Sequence, residues 1–337
     1  MKSAKANPNF HTGTKTTVFD KKIQDERFQE YRRRWYEYPQ KNFVGKFPIH
    51  LDIESTYRCN LRCPFCARTF ANWGEPTTKD LNFTLFKKVI DEGVENNLYS
   101  IKLSLRGEPL LHEKISEMVA YAKNQGIVDV YFNTNAVLLK ESIIYKLIDA
   151  GLDRISVSFE GIDKEEYEKN RPPARFERVV ENVKLLRKIR DDLNVKYPQI
   201  RVQTVLTPFM KNIFQEYVNF WKNIADEVSY LDMRREGPQD DHRGIIADWC
   251  CPFLWQRIVI LCDGTIVPCL LHGVSDFSKF KIGNVRTMSI KEAWLGEKMN
   301  NFRELNKAGK AHELGACDHC SFRAMELEKI GVMKKYV

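Results

Sequence analysis

From His50 onward, short apolar and β-branched runs alternate with longer amphipathic stretches, and this alternation constrains the fold of the 337-residue chain more than any other feature. The runs fall at 50–55, 100–105, 128–133, 153–159, 200–206 and 228–233 and look like buried parallel strands. Between them lie amphipathic stretches at 83–95, 113–124, 140–150, 175–192 and 212–225, each long enough for a crossover helix. Six strand–helix repeats imply an α/β barrel, complete or partial, with its chemistry at the C-terminal ends of the strands. Residues 1–47 are charged and aromatic, with helical spacing around 27–38 and a break at Pro39; they read as an extension packed on the main domain. After about residue 236 the pattern changes. Residues 258–267, with Asp263-Gly264 as the turn, read as a β-hairpin, and a short helix is expected around 289–295. Three units are therefore expected: the extension 1–47, a barrel over 48–236 and a small cysteine-bearing α+β domain over 237–337.

The hydrophobic share of 43% allows a large core without disulfides. The net charge of +8 is concentrated: residues 1–50 hold eleven Lys/Arg against five Asp/Glu. That is not the distributed basic surface of a nucleic-acid enzyme, and no nucleic-acid partner is expected. The run Arg32-Arg33-Arg34 reads as a solvated helix face before it reads as a phosphate or tRNA site. No apolar run approaches the ~18 residues that span a bilayer, and residues 1–17 are polar. A soluble, cytoplasmic protein without a membrane partner is expected.

Nine cysteines fall in two groups, which argues for metal ligation over disulfides in a reducing compartment. In the first, Cys59-Asn60-Leu61-Arg62-Cys63-Pro64-Phe65-Cys66 puts three thiols within eight residues, directly after the first expected strand. Iron–sulfur clusters usually take four thiolates, so three leave one iron open to a small molecule. A structural zinc site closes its shell with four ligands, and no fourth Cys or His follows nearby. Spacing alone leaves both metals open and favours iron–sulfur. The spacing, the aromatic before the last cysteine and the place after the first strand resemble the signature of the radical S-adenosylmethionine superfamily. That resemblance implies a 4Fe-4S cluster on Cys59, Cys63 and Cys66, with the open iron chelated by S-adenosylmethionine, and a deoxyadenosyl radical that breaks a C–H bond. It implies that Phe65 lies against the adenine. Gly107-Glu108-Pro109 resembles the family motif that receives the ligand's ammonium group, although the family usually has Gly where this chain has Arg106. Thr134-Asn135-Ala136 resembles the family's Thr-Asn-Gly. Ser158 and Arg171 resemble positions that hold the ribose or carboxylate, and Val205 an adenine contact; each also has an ordinary structural reading.

In the second group, Cys251, Cys269 and the pair Cys317/Cys320 resemble the C-terminal domains called SPASM and their shortened twitch relatives, which carry auxiliary 4Fe-4S clusters. Lys281-Ile282-Gly283-Asn284-Val285 and Ser289-Ile290-Lys291-Glu292-Ala293-Trp294 strengthen the likeness. The full SPASM pattern has further cysteines, but none follows Cys320, so the four can hold one fully coordinated cluster and not two. A zinc ribbon is the alternative. The resemblance thus implies two 4Fe-4S clusters and S-adenosylmethionine on a partial (β/α)6 radical-SAM barrel with a SPASM/twitch-type domain. Cys262, in an apolar strand, reads as a small hydrophobe, whereas Cys250 is either packing or a hydrogen-atom donor.

One auxiliary cluster with this spacing resembles the aminocyclitol alcohol dehydrogenases of antibiotic biosynthesis. The expected activity is therefore oxidation of a small polar, sugar-like substrate, with the auxiliary cluster as electron acceptor. Epimerisation through Cys250, or modification of a ribosomal peptide, are the alternatives. An external electron donor such as flavodoxin or ferredoxin is implied. Oxidation also needs a base. Asp232, Arg234, Arg235, Glu236, Asp241 and His242 are the substrate-side candidates, with Asp232, Glu236 and Cys250 taken as catalytic.

Overall fold

The computed structural model describes residues 10–14, 25–70, 75–233, 250–269, 280–318, 320 and 322–323. Ten strands form one continuous sheet: β1 (Phe10–Thr12), β2 (His50–Ile53), β3 (Ser100–Lys102), β4 (Asp129–Thr134), β5 (Arg154–Ser158), β6 (Gln199–Leu206), β7 (Glu227–Asp232), β8 (Arg257–Ile260), β9 (Thr265–Val267) and β10 (Gly283–Asn284). The order is β1-β7-β6-β5-β4-β3-β2-β8-β9-β10. Strands β2 to β7 are parallel, each beside its predecessor, as connected β–helix–β units require. β2 and β7 do not pair, so the six-stranded barrel is partial. Its free edges are taken by other parts of the chain: β1 lies antiparallel on β7, and β8 lies parallel on β2. The hairpin expected at 258–267 is β8–β9, but it continues the barrel sheet instead of starting a separate one.

The expected crossover helices occur as Phe83–Glu95, Ile115–Asn124, Glu141–Asp149, Phe176–Asp192 and Phe214–Trp221. The expected 212–225 stretch is shorter: Pro208 starts a separate turn of helix before it, Pro208–Asn212, capped by Thr207, and the helix ends at Trp221. Asn82 caps the first crossover helix by accepting from the backbone of Thr84 and Leu85. One stripe of these helices, including Phe86, Val89, Ile90, Val179 and Val183, buries against Leu51, Ile53, Ile101, Val130, Phe132, Ile155, Val157, Ile200 and Val202. That is the outer face of the strands.

The inner face differs from the expectation of apolar strands covered on both sides. Strand residues alternate, so His50, Asp52, Lys102, Asp129, Arg154, Arg201 and Glu227 share the lumen side. They are paired there: Arg154 with Asp129 at 2.6 Å, Arg201 with Glu227 at 2.9 Å, and Asp52 with Lys102 at 3.4 Å and Arg257 at 3.3 Å. Burial opposes ionisation of Asp52, but Lys102 and Arg257 outweigh it and hold the carboxyl well below its usual range.

Helix α1 (Glu26–Gln40) starts at Asp25, whose carboxylate accepts from the Phe28 amide. Its buried Phe28, Tyr31 and Trp35 form a second small core with Ile49 and Tyr99. Trp35 meets the His50 ring edge-on at 5.7 Å and sits 4.6 Å from the Arg257 guanidinium, so α1 covers the N-terminal end of the lumen. In the arginine run, Arg33 pairs with Glu30 and Glu37 on the exposed side, while Arg34 pairs with Glu30 and stands 5.3 Å from the Tyr99 ring. Trp35→Ala should cost about 3–5 kcal/mol, the usual loss for a buried Trp. Chemical denaturation of the loaded protein measures it, and a loss below about 1 kcal/mol would mean that α1 merely rests on the barrel.

Candidate active site

The loop after β2 carries Cys59, Cys63 and Cys66 at the C-terminal end of the barrel. Cys63 is buried and the other two are half-buried. The turn is closed by the Cys66 amide donating to the Cys63 carbonyl at 3.1 Å and by the Thr69 hydroxyl donating to the same oxygen at 2.8 Å. Burial pushes the Cys63 thiol up to about 11, with Arg171 opposing, and raises Cys59 as well. Left alone these thiols stay protonated; a bound metal would supply the positive charge that makes them thiolates.

The end of β3 supports this loop from below. Gly107 has no room for a side chain: a Cβ would lie 2.1 Å from the Thr56 carbonyl oxygen and 2.7 Å from that of Arg58. The Glu108 amide donates to the Arg58 carbonyl at 2.8 Å. The Glu108 carboxylate, 3% exposed, turns to the end of β4. Its Oε1 accepts from the Thr134 hydroxyl at 2.6 Å and the Leu110 amide at 3.2 Å, and its Oε2 accepts from the Asn135 amide at 2.7 Å. Pro109 opens the short helical turn that follows. Asn135 Nδ2 donates to Asn60 Oδ1 at 2.8 Å, which returns the chain of contacts to the cysteine loop. Phe65, Gly107, Glu108, Pro109, Thr134 and Asn135 are therefore brought together. Ala136, where the resembled motif has Gly, is held at φ 58° in the left-handed region.

Arg171 is mostly buried, with about a tenth of its side chain exposed (11%). It makes a two-armed pair with Glu160, just beyond β5, and its guanidinium stands 5.4 Å from the Phe65 ring. The Arg62 amide donates to the Pro172 carbonyl at 2.8 Å, so this segment also clamps the cysteine loop. Ser158 and Val205 end the lumen faces of β5 and β6, Ser158 beside Gln203 and Val205 beside Leu231 of β7. Asn60 and Glu160 were missed by sequence reasoning. An Asn between two cysteines was the only cue to the first, and nothing local marks the second.

Asp232 corrects an expectation. Its Oδ2 accepts from His11 Nε2 of β1 at 3.1 Å, on the face of β7 shared with Tyr230, whose ring packs on Phe214 of the helix layer at 4.8 Å. Glu227 and Ser229 occupy the lumen face, so Asp232 is turned away from the site. Glu236, Arg234, Arg235, Asp241 and His242 lie outside the described residues.

Cys251, Cys269, Cys317 and Cys320 line a small cavity, otherwise walled mostly by Phe253, Leu254, Pro268 and Phe302. The Cys251 amide donates to Asn306 Oδ1 at 3.3 Å. Burial pushes the Cys251 and Cys317 thiols well above their ordinary range, with neighbouring thiols adding to it. The four thiols share the wall of one largely apolar space, an arrangement that fits the four thiolate ligands of an iron–sulfur cluster. Cys250 is half-buried and is not part of this wall. Cys262 is buried, with its thiol donating to the Thr78 carbonyl at 3.1 Å.

A partial α/β barrel with a three-thiol loop at its mouth and a four-thiol apolar cavity beside it defines a two-cluster iron–sulfur enzyme. Residues 53–201 match the radical SAM superfamily model, and residues 250–321 match the model of the iron–sulfur cluster-binding SPASM domain. The chain belongs to the radical SAM superfamily and carries a C-terminal SPASM domain. It is 25% identical over 318 residues to the tungsten-containing aldehyde ferredoxin oxidoreductase cofactor-modifying protein of Pyrococcus furiosus, covering 81% of this chain and 87% of that one. It is 30% identical over 199 residues to a probable GTP 3',8-cyclase of Sulfolobus acidocaldarius, of whose length it spans 60%. Among solved structures, Streptococcus suis SuiB bound to S-adenosylmethionine superposes with TM-score 0.63 at 18% identity, over 87% of this chain and 76% of SuiB. BtrN in complex with AdoMet and 2-DOIA gives 0.53 at 19%, over 82% and 93%. These likenesses establish the fold. The cofactors are two 4Fe-4S clusters, one for the barrel and one auxiliary, and S-adenosylmethionine.

Gly107→Ala should force the 56–58 backbone away and lower bound iron from about eight to about four per chain, with the far-ultraviolet spectrum unchanged. Full iron content in this variant would show that the loop tolerates the shift.

Proposed function

We propose that the chain is an oxidoreductase that dehydrogenates a small polar substrate, sugar- or aminocyclitol-like, and passes the second electron to the auxiliary cluster. The observation that carries this reading is the auxiliary cavity, where four thiols are available to one cluster. With every iron held by protein the cluster offers no site to a substrate and is left with electron transfer. In this reading Cys59, Cys63 and Cys66 hold the first cluster, and Cys251, Cys269, Cys317 and Cys320 the second. Bound together, the first cluster and S-adenosylmethionine supply hydrogen-atom abstraction from carbon.

The protein's own part is to orient and to exclude water. Glu108 Oε2 accepts one hydrogen bond and keeps a lone-pair direction for the ligand's ammonium. Burial raises the Glu108 pKa against the hydrogen bonds from Asn135, Thr134 and Leu110, and a cation beside it would favour the ionised form further. Phe65, fixed by Arg171, would lie along the adenine, as would Val205, while Thr134, Asn135, Ser158 and Arg171 edge the ribose and carboxylate. The substrate's proton needs a base, and with Asp232 facing outward the candidates are Glu236, Asp241 and His242. Cys251, Cys269, Cys317 and Cys320 would hold a cluster able to exchange electrons with an external carrier such as a flavodoxin or ferredoxin, which would also supply the electron that the barrel cluster needs. A second reading, modification of another enzyme's cofactor, is favoured by the extent of the match to the Pyrococcus protein.

Three outcomes are expected. Replacing Cys59, Cys63 and Cys66 together by Ala should leave about four irons per chain and abolish deoxyadenosine formation; retention of all the iron would sink the ligand assignment. Glu108→Gln should weaken S-adenosylmethionine binding roughly ten- to a hundred-fold, matching the loss of a charge-assisted bond, with iron content unchanged. Turnover of a sugar-like substrate in deuterated water should give one deoxyadenosine per product and no deuterium at the reacting carbon. Deuterium at an inverted carbon, lost in Cys250→Ala, would make the enzyme an epimerase instead.

A further inference from the structure

Among the described residues, the wall of the auxiliary cavity includes one cation. Arg323 lines the cavity beside Cys251, Cys269, Cys317 and Cys320, and its residue is 2% exposed. It falls just past residues 250–321, the span of the SPASM match. Its place is set by its neighbour: Phe322, also 2% exposed, stacks on Phe253 at 5.0 Å and 27° and so seats this turn against the helix Phe253–Gln256. Two further buried cations among the described residues stand nearby off the wall: Arg257, 4.3 Å from the Phe253 ring and paired with Asp52, and Arg303. The Arg303 guanidinium donates to the carbonyls of Leu254 and Trp294 and to Asn300 Oδ1 and lies 4.2 Å from the Trp294 ring, so it ties helices together.

We propose that Arg323 tunes the auxiliary cluster, raising its reduction potential enough for the cluster to take an electron from the substrate. This rests on the proposed ligation of that cluster by the four cysteines. Reduction adds one electron and one negative charge to a cluster already anionic through its thiolates. A guanidinium on an apolar, water-excluding wall stabilises the more negative state more than the less negative one. Since arginine stays protonated, no proton accompanies the electron.

The test is a redox titration of the reconstituted full-length protein, following the auxiliary cluster by electron paramagnetic resonance without substrate. The first cluster in the same sample is the internal reference. Arg323→Gln should shift the reduction equilibrium at least tenfold toward the oxidised cluster, a fall of about 59 mV for one electron. Arg323→Lys, which keeps the charge, should stay within threefold of the unaltered protein. A Gln variant within threefold of the unaltered protein, or Gln and Lys variants shifted alike, would overturn the proposal. If Arg323→Gln does not take up the cluster, Arg323→Met is read by the same criterion. Loss of the cluster from both uncharged variants would make the residue a requirement for assembly and would overturn the tuning role. Because no substrate is present, a shifted potential in an enzyme that proves not to be an oxidase would leave Arg323's role standing and remove only the oxidoreductase reading.

Discussion

The carboxylate of Glu54 holds the two halves of this enzyme in one arrangement. Fully buried just past β2, it accepts from Arg106 Nε and Nη2 at 2.6 Å each, from the Arg106 amide at 3.3 Å and from the Cys262 amide at 3.2 Å. Three segments meet at this group: the start of the cysteine loop, the residue before Gly107, and the turn after β8. Tyr57 adds its ring 4.6 Å from the Arg106 guanidinium and 4.3 Å from that of Arg68. A buried ion pair gains little over an apolar one, yet removing one partner strands the other charge at a cost of about 3–5 kcal/mol. Its value here is positional. The glycine under the first cysteine loop and the strand that leads to the auxiliary cysteines are both referred to the same pair of oxygens.

The barrel divides along its axis into two environments. At the floor, under α1, the charges of Asp52, Lys102, Arg257, Asp129, Arg154, Arg201 and Glu227 are paired among themselves. At the rim the polar groups are arranged differently. Glu108, Thr134, Asn135 and Asn60 form a hydrogen-bonded series that fixes loop to loop and still leaves acceptor capacity facing the site. Side chains at the floor are locked by packing and ion pairs, so the rim above them starts from rigid strand ends.

Most of the secondary structure was legible because it rests on local periodicity. The six barrel strands and their helices fall within a few residues of the expected runs, and Ser289 caps the expected helix with a reciprocal bond to Glu292. What escaped depends on phase and on distant partners. Runs such as His50-Leu51-Asp52-Ile53 were read as apolar throughout, although their alternation marks a charged inner face. Asp232 was placed near the site from its position at a strand end, but position along a strand does not say which face a residue takes, and a shift of one reverses it. Arg106 stood out as a departure from the family motif, yet its partner lies fifty-two residues earlier, and no local rule could name Glu54. That β8 would lie beside β2 was equally hidden, since sheet order is a property of the folded chain.

The unclosed barrel has a consequence for how such enzymes diversify. In a closed barrel, strand number and stagger fix the diameter, so the lumen cannot change without rebuilding every strand. Here β2 and β7 do not meet, and the two edges are finished by separate pieces, β1 on one side and β8 to β10 on the other. Lineages can therefore exchange or reshape the edge pieces, and with them the space offered to a substrate, while the six strands that carry the cysteine loop and the ligand-binding rim stay as they are.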